Sequence, residues 1–284
     1  MQQLLADLEH DLPFVQGRAL RSIFFGGGTP SIFSAQAIAA ILQGVQQRIP
    51  FAEDIEITLE ANPGTAEAEK FVGFRTAGVN RLSIGVQSFS ENHLRALGRI
   101  HNGAEAARAV AMAKAAGFAR INIDLMHGLP KQTVDEALAD LQCAIDLGVT
   151  HISWYQLTIE PNTVFYRQPP PLPVDEVLWD IQQAGLALLQ NHGFQQYEVS
   201  AFAREVNDEL HACRHNLNYW QFGDYLGIGA GAHGKITLPE ENKIVRYHKT
   251  RIPKHYLQHH AAALAEQQTL LEKDLPFEFM LNAL

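Results

Sequence analysis

The chain has 284 residues, of which 46% are hydrophobic and 19% charged, and its formal net charge is −9 at pH 7. This is ordinary globular composition with enough apolar residues for a full core. The negative balance argues against nucleic acid as the main partner, because a phosphate backbone requires a basic surface.

The sequence shows no signal for a membrane span or for secretion. No apolar run of about 18 residues occurs, so we expect no spanning helix. This expectation does not concern the partners of the protein, which can be associated with a membrane. The first residues have the pattern of an amphipathic helix and lack the basic region of a signal peptide. Cys143 and Cys213 are too few for a disulfide framework, and their spacing is not that of a metal motif. We therefore predict a cytoplasmic protein.

Apolar runs alternate with helical patterns in the first half of the chain. The runs that predict strands begin near Arg21, Ile55, Arg81, Arg120 and His151. The patterns that predict helices cover 35–48, a segment from Thr65 to about 77, 91–97, 103–117 and 134–147. This alternation predicts βαβ units with a parallel sheet, whose right-handed crossovers bring the loops after the strands to one face.

The pattern changes after about Thr158. Residues 168–173 form a proline-rich extended segment, and 175–191 predict a helix. Residues 196–200 predict a further strand. The stretch 215–234 is rich in glycine and aromatic residues and has no clear period, and 271–284 predict the start of a helical segment.

The first predicted strand ends in Gly26-Gly27-Gly28-Thr29-Pro30. Without side chains, this turn lets a ligand approach the main chain closely. Its free N–H groups suit a carboxylate or a phosphate. A tight strand-to-helix turn with no ligand is an equally good interpretation of this motif alone.

The next predicted strands each end in a polar residue. Glu60 suits a cationic group such as an amine, or it pairs with an arginine. Gln87 offers a donor and an acceptor. Arg99 could clamp a carboxylate, although a surface ion pair is the commoner fate of an arginine. Asp124 interrupts an apolar run, which is costly unless it is paired or faces a ligand such as a ribose. Thr158 follows the fifth strand in a similar way.

The order of these motifs resembles a known family. Gly26-Gly27-Gly28-Thr29-Pro30, Glu60-Ala61-Asn62-Pro63, Gly85-Val86-Gln87-Ser88-Phe89, Gly98-Arg99 and the segment 124–130 are similar to the radical S-adenosylmethionine (SAM) family of oxygen-independent coproporphyrinogen III dehydrogenase. The resemblance covers nearly the whole chain. It implies an α/β fold, a partial (β/α)6 TIM-like barrel of the radical SAM type, with SAM across its open face.

The resemblance also implies a set of SAM contacts. The turn after the first strand would hold the amino-acid end of SAM, and the later strand ends would complete the site. The residues that the resemblance assigns to SAM are Gly27, Gly28, Thr29, Glu60, Gln87, Arg99, Asp124 and Thr158.

A second, narrower resemblance concerns heme. The segment from His215 to Trp220 reads His-Asn-Leu-Asn-Tyr-Trp and resembles the H-N-x-x-Y-W signature of the heme-chaperone (HemW) branch of that family. A histidine one helical turn from Tyr219 could supply an iron ligand beside a flat apolar wall. The alternative is that His215 only closes an aromatic cluster with Tyr219, Trp220 and Phe222.

The chain also departs from the family pattern. The family holds a [4Fe–4S] cluster with three cysteines in a C-x-x-x-C-x-x-C loop, and that motif does not occur in this sequence. We expect that strand and loop to precede Met1, and the C-terminal helical domain to be truncated. Residues 1–165 would form the barrel core, 166–270 an extension with the heme motif and a glycine-rich loop, and 271–284 the start of the helical domain.

Two functions are compatible with these motifs. The first is a chaperone that binds heme and hands it to apo-hemoproteins, using SAM and a cluster in the full-length family. The second is an oxygen-independent coproporphyrinogen III dehydrogenase that decarboxylates two propionates, for which this chain lacks the cluster cysteines. An unrelated TIM-barrel enzyme would need a nucleophile or a metal triad at the strand ends, and the sequence shows none.

Overall fold

A computed structural model describes residues 1–64, 68–206, 208–258 and 264–283. The helix start predicted at Thr65 lies outside these ranges. The chain divides into two compact units. Unit 1 consists of Met1–Ile23, Ala35–Glu56 and Cys213–Leu284, and unit 2 consists of Phe24–Ser34 and Ile57–Ala212. The domain boundaries given above remain predictions.

The main sheet carries the strands that the sequence predicts before Thr158, followed by strands that it does not predict. They are β1 (Leu20–Phe25), β2 (Phe51–Ala61), β3 (Arg81–Gln87), β4 (Arg120–His127), β5 (His151–Gln156), β6 (Phe194–Gln196), β7 (Ala201–Val206) and β8 (Glu209–Leu210). The sheet order is β1-β2-β3-β4-β5-β7-β6, with β8 beside β7. Strands β2 to β5 are parallel and β7 is antiparallel to β5. The predicted α/β class with a parallel sheet is confirmed.

The helices of the first half follow the predicted alternation, whereas the sequence does not predict the short helices at 164–167, 214–220 and 253–258. The described helices are α1 (Gln2–Asp11), α2 (Ala35–Gln46), α3 (Phe71–Ala77), α4 (Glu91–Ala96), α5 (Gly103–Ala115), α6 (Val134–Asp146), α7 (Val164–Arg167), α8 (Asp175–Asn191), α9 (Arg214–Trp220), α10 (Pro253–Gln258) and α11 (Leu275–Ala283). Helices α5 and α6 each begin at a capping box, formed by Asn102 with Glu105 and by Thr133 with Glu136. No helix in the described ranges is long and apolar enough to cross a membrane.

The strand predicted at 196–200 is wrong. Strand β6 ends at Gln196 and β7 begins at Ala201, and the chain between them turns. The N–H of Tyr197 donates to the carbonyl of Ala201 at 3.1 Å, which closes the turn. The hydroxyl of Tyr197 lies at hydrogen-bond distance from Nε2 of His151 on β5, which ties this turn to the main sheet.

The two faces of the parallel sheet differ in polarity. Side chains alternate between the faces along each strand. Buried apolar residues such as Leu82, Ile123 and Ile152 occupy one face. The register pairs Ser83 with Asn122 and Asn122 with His151 on the other face, and it pairs Asp124 with Ser153 there. The polar side chains of unit 2 therefore collect on one face of the sheet.

Unit 1 contains a second sheet and a buried charge cluster. The sheet has strands β9 (His233–Leu238), β10 (Lys243–Lys249) and β11 (Leu264–Thr269) in the order β11-β10-β9. The Lys249 ammonium lies 2.7 Å from Oδ1 of Asp7 and 2.9 Å from Oδ2 of Asp11, and all three residues are buried. Two tyrosine hydroxyls also donate to this cluster, from Tyr256 to Asp7 and from Tyr247 to Asp11. The cluster fixes α1 against β10 and α10.

Candidate functional site

The glycine turn after β1 offers open space above its backbone. Gly27 and Gly28 have φ angles of 75° and 59°, in the left-handed region that disfavours other residues. A Cβ built on either one would meet no atom within 4 Å. The N–H of Gly27 donates to Oε2 of Glu60 at 3.1 Å. Thr29 is half-buried and leads into a short 3-10 turn at Pro30–Ile32. A ligand could therefore lie directly on this turn, beside a carboxylate.

Two carboxylates face this part of unit 2. Burial raises the pKa of Glu60. The hydrogen bond from Gly27 lowers this pKa, and the charge of Asp124 raises it. Burial also raises the pKa of Asp124, mainly offset by hydrogen bonds from Asn122 and Ser83. For both carboxylates the effect of burial outweighs that of the hydrogen bonds they accept. A cationic or hydroxyl-bearing ligand would stabilise the charged form of each.

A hydrogen-bond network fixes the orientation of Asp124. Nδ2 of Asn122 donates to Oδ1 of Asp124 at 2.7 Å, and Oγ of Ser83 donates to Oδ2 at 3.2 Å. Oδ1 of Asn122 accepts from Oγ of Ser153 at 3.2 Å and faces Nδ1 of His151. Because that oxygen can only accept, His151 carries its proton on Nδ1.

The histidine of this network is uncharged. Burial, and then the charge of Arg81, hold the pKa of His151 well below its usual value. With the proton on Nδ1, its Nε2 accepts from the hydroxyl of Tyr197. The amide of Asn122 therefore has one available orientation, with its NH2 group toward Asp124. The sheet presents Asp124 in a fixed position before any ligand binds.

Gln87 is held in an unusual backbone conformation. Its φ angle is 70°, which costs a residue with a Cβ about 1–3 kcal/mol. The β3–β4 register shifts between Ile84 and Gln87, so the strand bulges there. The loop after it is anchored by Asp140, which accepts from the Ser88 hydroxyl at 2.6 Å and from the Phe89 N–H at 2.7 Å. Such strain is typical of a functional position that its surroundings hold in place.

Tyr155 lies where four of the predicted residues meet. Its hydroxyl donates to Oε1 of Gln87 at 2.8 Å. Burial raises the pKa of Tyr155 to about 12, and the charge of Asp124 and that of Glu60 also raise it, while Arg99 lowers it. The Tyr155 hydroxyl therefore contacts Gln87 and lies within the electrostatic reach of Glu60, Arg99 and Asp124. Sequence reasoning did not select Tyr155, although its alternation with His151 and Ser153 on β5 places it on the polar face.

The remaining predicted residues lie at the edge of this group. Arg99 is exposed, and its N–H donates to the carbonyl of Leu94 at 2.9 Å just after α4. Thr158 is exposed in the loop that follows β5. The structure thus brings the two acids, the amide and the guanidinium together, and it places both threonines in strand-end loops.

The second candidate site belongs to unit 1 and is built on α9. The His215 ring contacts the Tyr219 ring edge-on, with centroids 4.7 Å apart and planes at 90°. Tyr219 in turn contacts Tyr225, with centroids 4.5 Å apart. His215 is half-buried, and burial raises the pKa of Tyr219 to about 12. An imidazole therefore stands at one end of a short row of aromatic rings.

A distant carboxylate holds the start of α9. Oε1 of the buried Glu56 accepts from the N–H of Arg214 at 3.0 Å and from the N–H of His215 at 3.4 Å. The thiol of Cys213 donates to the same oxygen at 3.3 Å. Arg214 also donates to the carbonyl of Asp54 at 2.7 Å. Strand β2 thereby positions the helix that carries His215.

Comparisons with known proteins agree with the sequence motifs. A sequence model of the radical SAM superfamily matches residues 7–144. The chain is 54% identical over 282 residues to the heme chaperone HemW of Escherichia coli strain K12, which covers 99% of this chain and 73% of that relative. The HemW of Haemophilus influenzae is also 54% identical and is covered to 72%. The chain belongs to the heme-chaperone (HemW) branch of the radical SAM superfamily.

The fold resembles that of a solved radical SAM enzyme. The structure of coproporphyrinogen III oxidase (HemN) from Escherichia coli, a radical SAM enzyme, matches with a TM-score of 0.82 over 99% of this chain and 67% of that one. At 24% identity this likeness shows a shared fold and carries no argument about the reaction. The predicted radical SAM type of α/β fold is confirmed.

Membership of the superfamily implies SAM and a [4Fe–4S] cluster as cofactors. The residues of unit 2 fit SAM, because an uncrowded glycine turn, two carboxylates with raised pKa values and a guanidinium suit its amino-acid end and its ribose. The residues present do not fit the cluster. Cys143 and Cys213 are both free thiols, one exposed and one buried. No group of three or more potential ligands that could hold a metal occurs in the described ranges.

Proposed function

We propose that this chain binds heme through the imidazole of His215 and transfers it to apo-hemoproteins. The observation that carries the proposal is the H-N-x-x-Y-W segment folded as a helix, with a half-buried His215 against Tyr219. An imidazole is a common axial ligand of heme iron, and aromatic rings pack against the apolar porphyrin plate. The two HemW relatives at 54% identity support the same function.

Unit 2 binds SAM in this proposal. Gly27, Gly28 and Thr29 receive the amino-acid end, while Glu60 accepts from the amine. Asp124 accepts from the ribose hydroxyls, and its orientation is set by Asn122. The remaining contacts come from Gln87, Arg99 and Thr158. When bound, SAM supplies a sulfonium and an adenosyl group, and the residues described here bind and orient it.

The heme proposal is tested by titration. Hemin is added to the wild-type chain and to His215→Ala, and the Soret band is recorded. The wild type should saturate near about one equivalent, and loss of the ligand should weaken binding by tenfold or more, or roughly 1.4 kcal/mol. His192→Ala is the matched control, because His192 is exposed at the end of α8. Equal, non-saturating binding by wild type and His215→Ala would contradict the proposal.

The SAM proposal is tested by equilibrium dialysis with labelled SAM. Asp124→Ala should weaken binding about 10- to 100-fold, because a hydrogen bond to a charged group contributes roughly 1.5–3 kcal/mol. Asp180→Ala changes an exposed acid on α8 and should bind SAM like the wild type. Unchanged affinity in Asp124→Ala would remove Asp124 from the site.

The dehydrogenase alternative is not favoured by a particular observation. The likeness to HemN is one of fold, at 24% identity. Mass analysis of coproporphyrinogen, incubated under anaerobic reduction with the chain extended to include a C-x-x-x-C-x-x-C loop, distinguishes the two functions. Loss of two carboxylates would contradict a protein that only carries heme.

A further inference from the structure

The aromatic row in unit 1 ends on a guanidinium. Along the row, His215 contacts Tyr219 and Tyr219 contacts Tyr225. Nη1 of Arg246 then donates to the hydroxyl of Tyr225 at 3.4 Å. The row therefore has an imidazole at one end, two phenol rings in the middle and a permanent positive charge at the other end.

Arg246 lies on a face of the second sheet where cationic side chains stand beside acidic ones, since Lys235 pairs with Asp224 at 3.2 Å. Arg246 on β10 pairs with Lys235 on β9. His248, two residues further along β10, pairs with His233. Burial lowers the pKa of His233, and the charges of His248, Arg251 and Arg246 lower it further. The side chain of Arg246 is 35% exposed, so a ligand from solvent could reach it. Lys235 is buried against Asp224, so Arg246 is the member of this cross-strand pair that can meet a negatively charged ligand.

The guanidinium of Arg246 already forms an ion pair with the carboxylate of Glu278. Oε2 of Glu278 on α11 accepts from Nε of Arg246 at 3.0 Å and also from Nη2. This contact shows that a carboxylate fits the guanidinium at hydrogen-bond distance. Exchange of one carboxylate for another would leave the number of charge-assisted hydrogen bonds unchanged.

We propose that Arg246 recognises a propionate carboxylate of heme and that Glu278 is the internal carboxylate which that propionate displaces. The assignment rests on the proposed function, since it requires His215 to hold the iron. A heme presents three kinds of surface, namely an iron, an apolar plate and two carboxylates at one edge. In the row, the imidazole matches the iron, the two phenol rings match the plate, and the guanidinium matches a carboxylate.

The proposal predicts selectivity for the free carboxylates. Hemin and hemin dimethyl ester have the same iron and plate, but the ester has no anionic carboxylate. The wild type should bind hemin only about threefold more tightly than the ester, because the propionate replaces an existing carboxylate and the gain is the rehydration of the displaced Glu278. Arg246→Gln should reduce hemin affinity to that for the ester and leave ester affinity and the Soret position unchanged.

The two partners of the ion pair should respond in opposite directions. Glu278→Gln removes the competing carboxylate, so hemin affinity should rise about threefold or more while ester affinity stays the same. Arg246→Lys keeps the charge without the forked geometry and should give an intermediate preference. Arg48→Gln is the matched control, because Arg48 pairs with Glu9 elsewhere in unit 1.

The outcomes separate this assignment from the function on which it rests. Equal binding of hemin and its ester by the wild type would overturn the role of Arg246 and leave that of His215 intact. An equal loss for both porphyrins in Arg246→Gln would show that Arg246 only supports the fold. No saturable Soret band with either porphyrin would overturn the proposed function and this assignment with it.

Discussion

Replacement of Lys249 by methionine should strongly destabilise the protein. The change removes the only ammonium within salt-bridge distance of Asp7 and Asp11 in the described ranges, where both acids are less than 5% exposed. The hydroxyls of Tyr256 and Tyr247 and the N–H of Gly229 still donate to the acids, but they carry no charge. Removing one partner from a buried ion pair costs about 3–5 kcal/mol.

This loss is measured by urea unfolding at pH 7, with a thermal melt as a second readout. At about 2–4 °C per kcal/mol for a chain of this size, the melting temperature should fall by roughly 10 °C. Lys243→Met is the matched control, because Lys243 lies on the same strand in an exposed pair with Glu241. An exposed pair contributes about 0–1 kcal/mol, so this variant should melt near the wild type.

The pH dependence gives the destabilisation a second test. Burial raises the pKa of Asp11, and removal of the Lys249 charge raises it further. The folded variant then holds a proton at pH values where the unfolded chain has released it. Acidification toward the raised pKa should therefore narrow the stability gap between Lys249→Met and wild type. A gap below about 1 kcal/mol at pH 7, or one that widens on acidification, would refute the reasoning.

Two further changes test how the candidate sites are held. Tyr155→Phe removes the donor to the buried Gln87 and should weaken SAM binding about 2- to 10-fold in equilibrium dialysis. Tyr166→Phe alters an exposed tyrosine and should have no effect, and equal affinities of both variants would contradict the role of Tyr155. Glu56→Ala removes the carboxylate that caps α9 and should lower the unfolding free energy by about 0.5–2 kcal/mol and weaken the Soret band. Glu53→Ala, an exposed acid on the same strand, is its control, and similar results for both would show that the cap is unimportant.

The sequence predicts the strands and helices that carry the SAM candidates because their periodicity is strong. Apolar runs mark β3, β4 and β5, and polar residues stand where those strands end. The order of the strand ends then fixes which side chains can meet, since parallel strands present their carboxyl ends at one edge. Glu60, Gln87 and Asp124 come together for this reason.

The residues that sequence reasoning missed depend on contacts between distant segments. The alternation of Tyr155 with His151 and Ser153 places it on the polar face, but its partner Gln87 lies 68 residues away in the sequence. Glu56 is 158 residues from Arg214 in the sequence, so no local pattern reveals that it caps α9. Helix α9 has seven residues, too few to produce a clear period.

The central claim is that His215 ligates heme iron, and chemical rescue tests it most directly. Hemin is added to His215→Ala with and without free imidazole, and the Soret band is compared with that of the wild type. We expect a weak band in the variant that returns to the wild-type position when imidazole is added, because the free ligand replaces the missing side chain. A variant whose band matches the wild type without imidazole would contradict the claim.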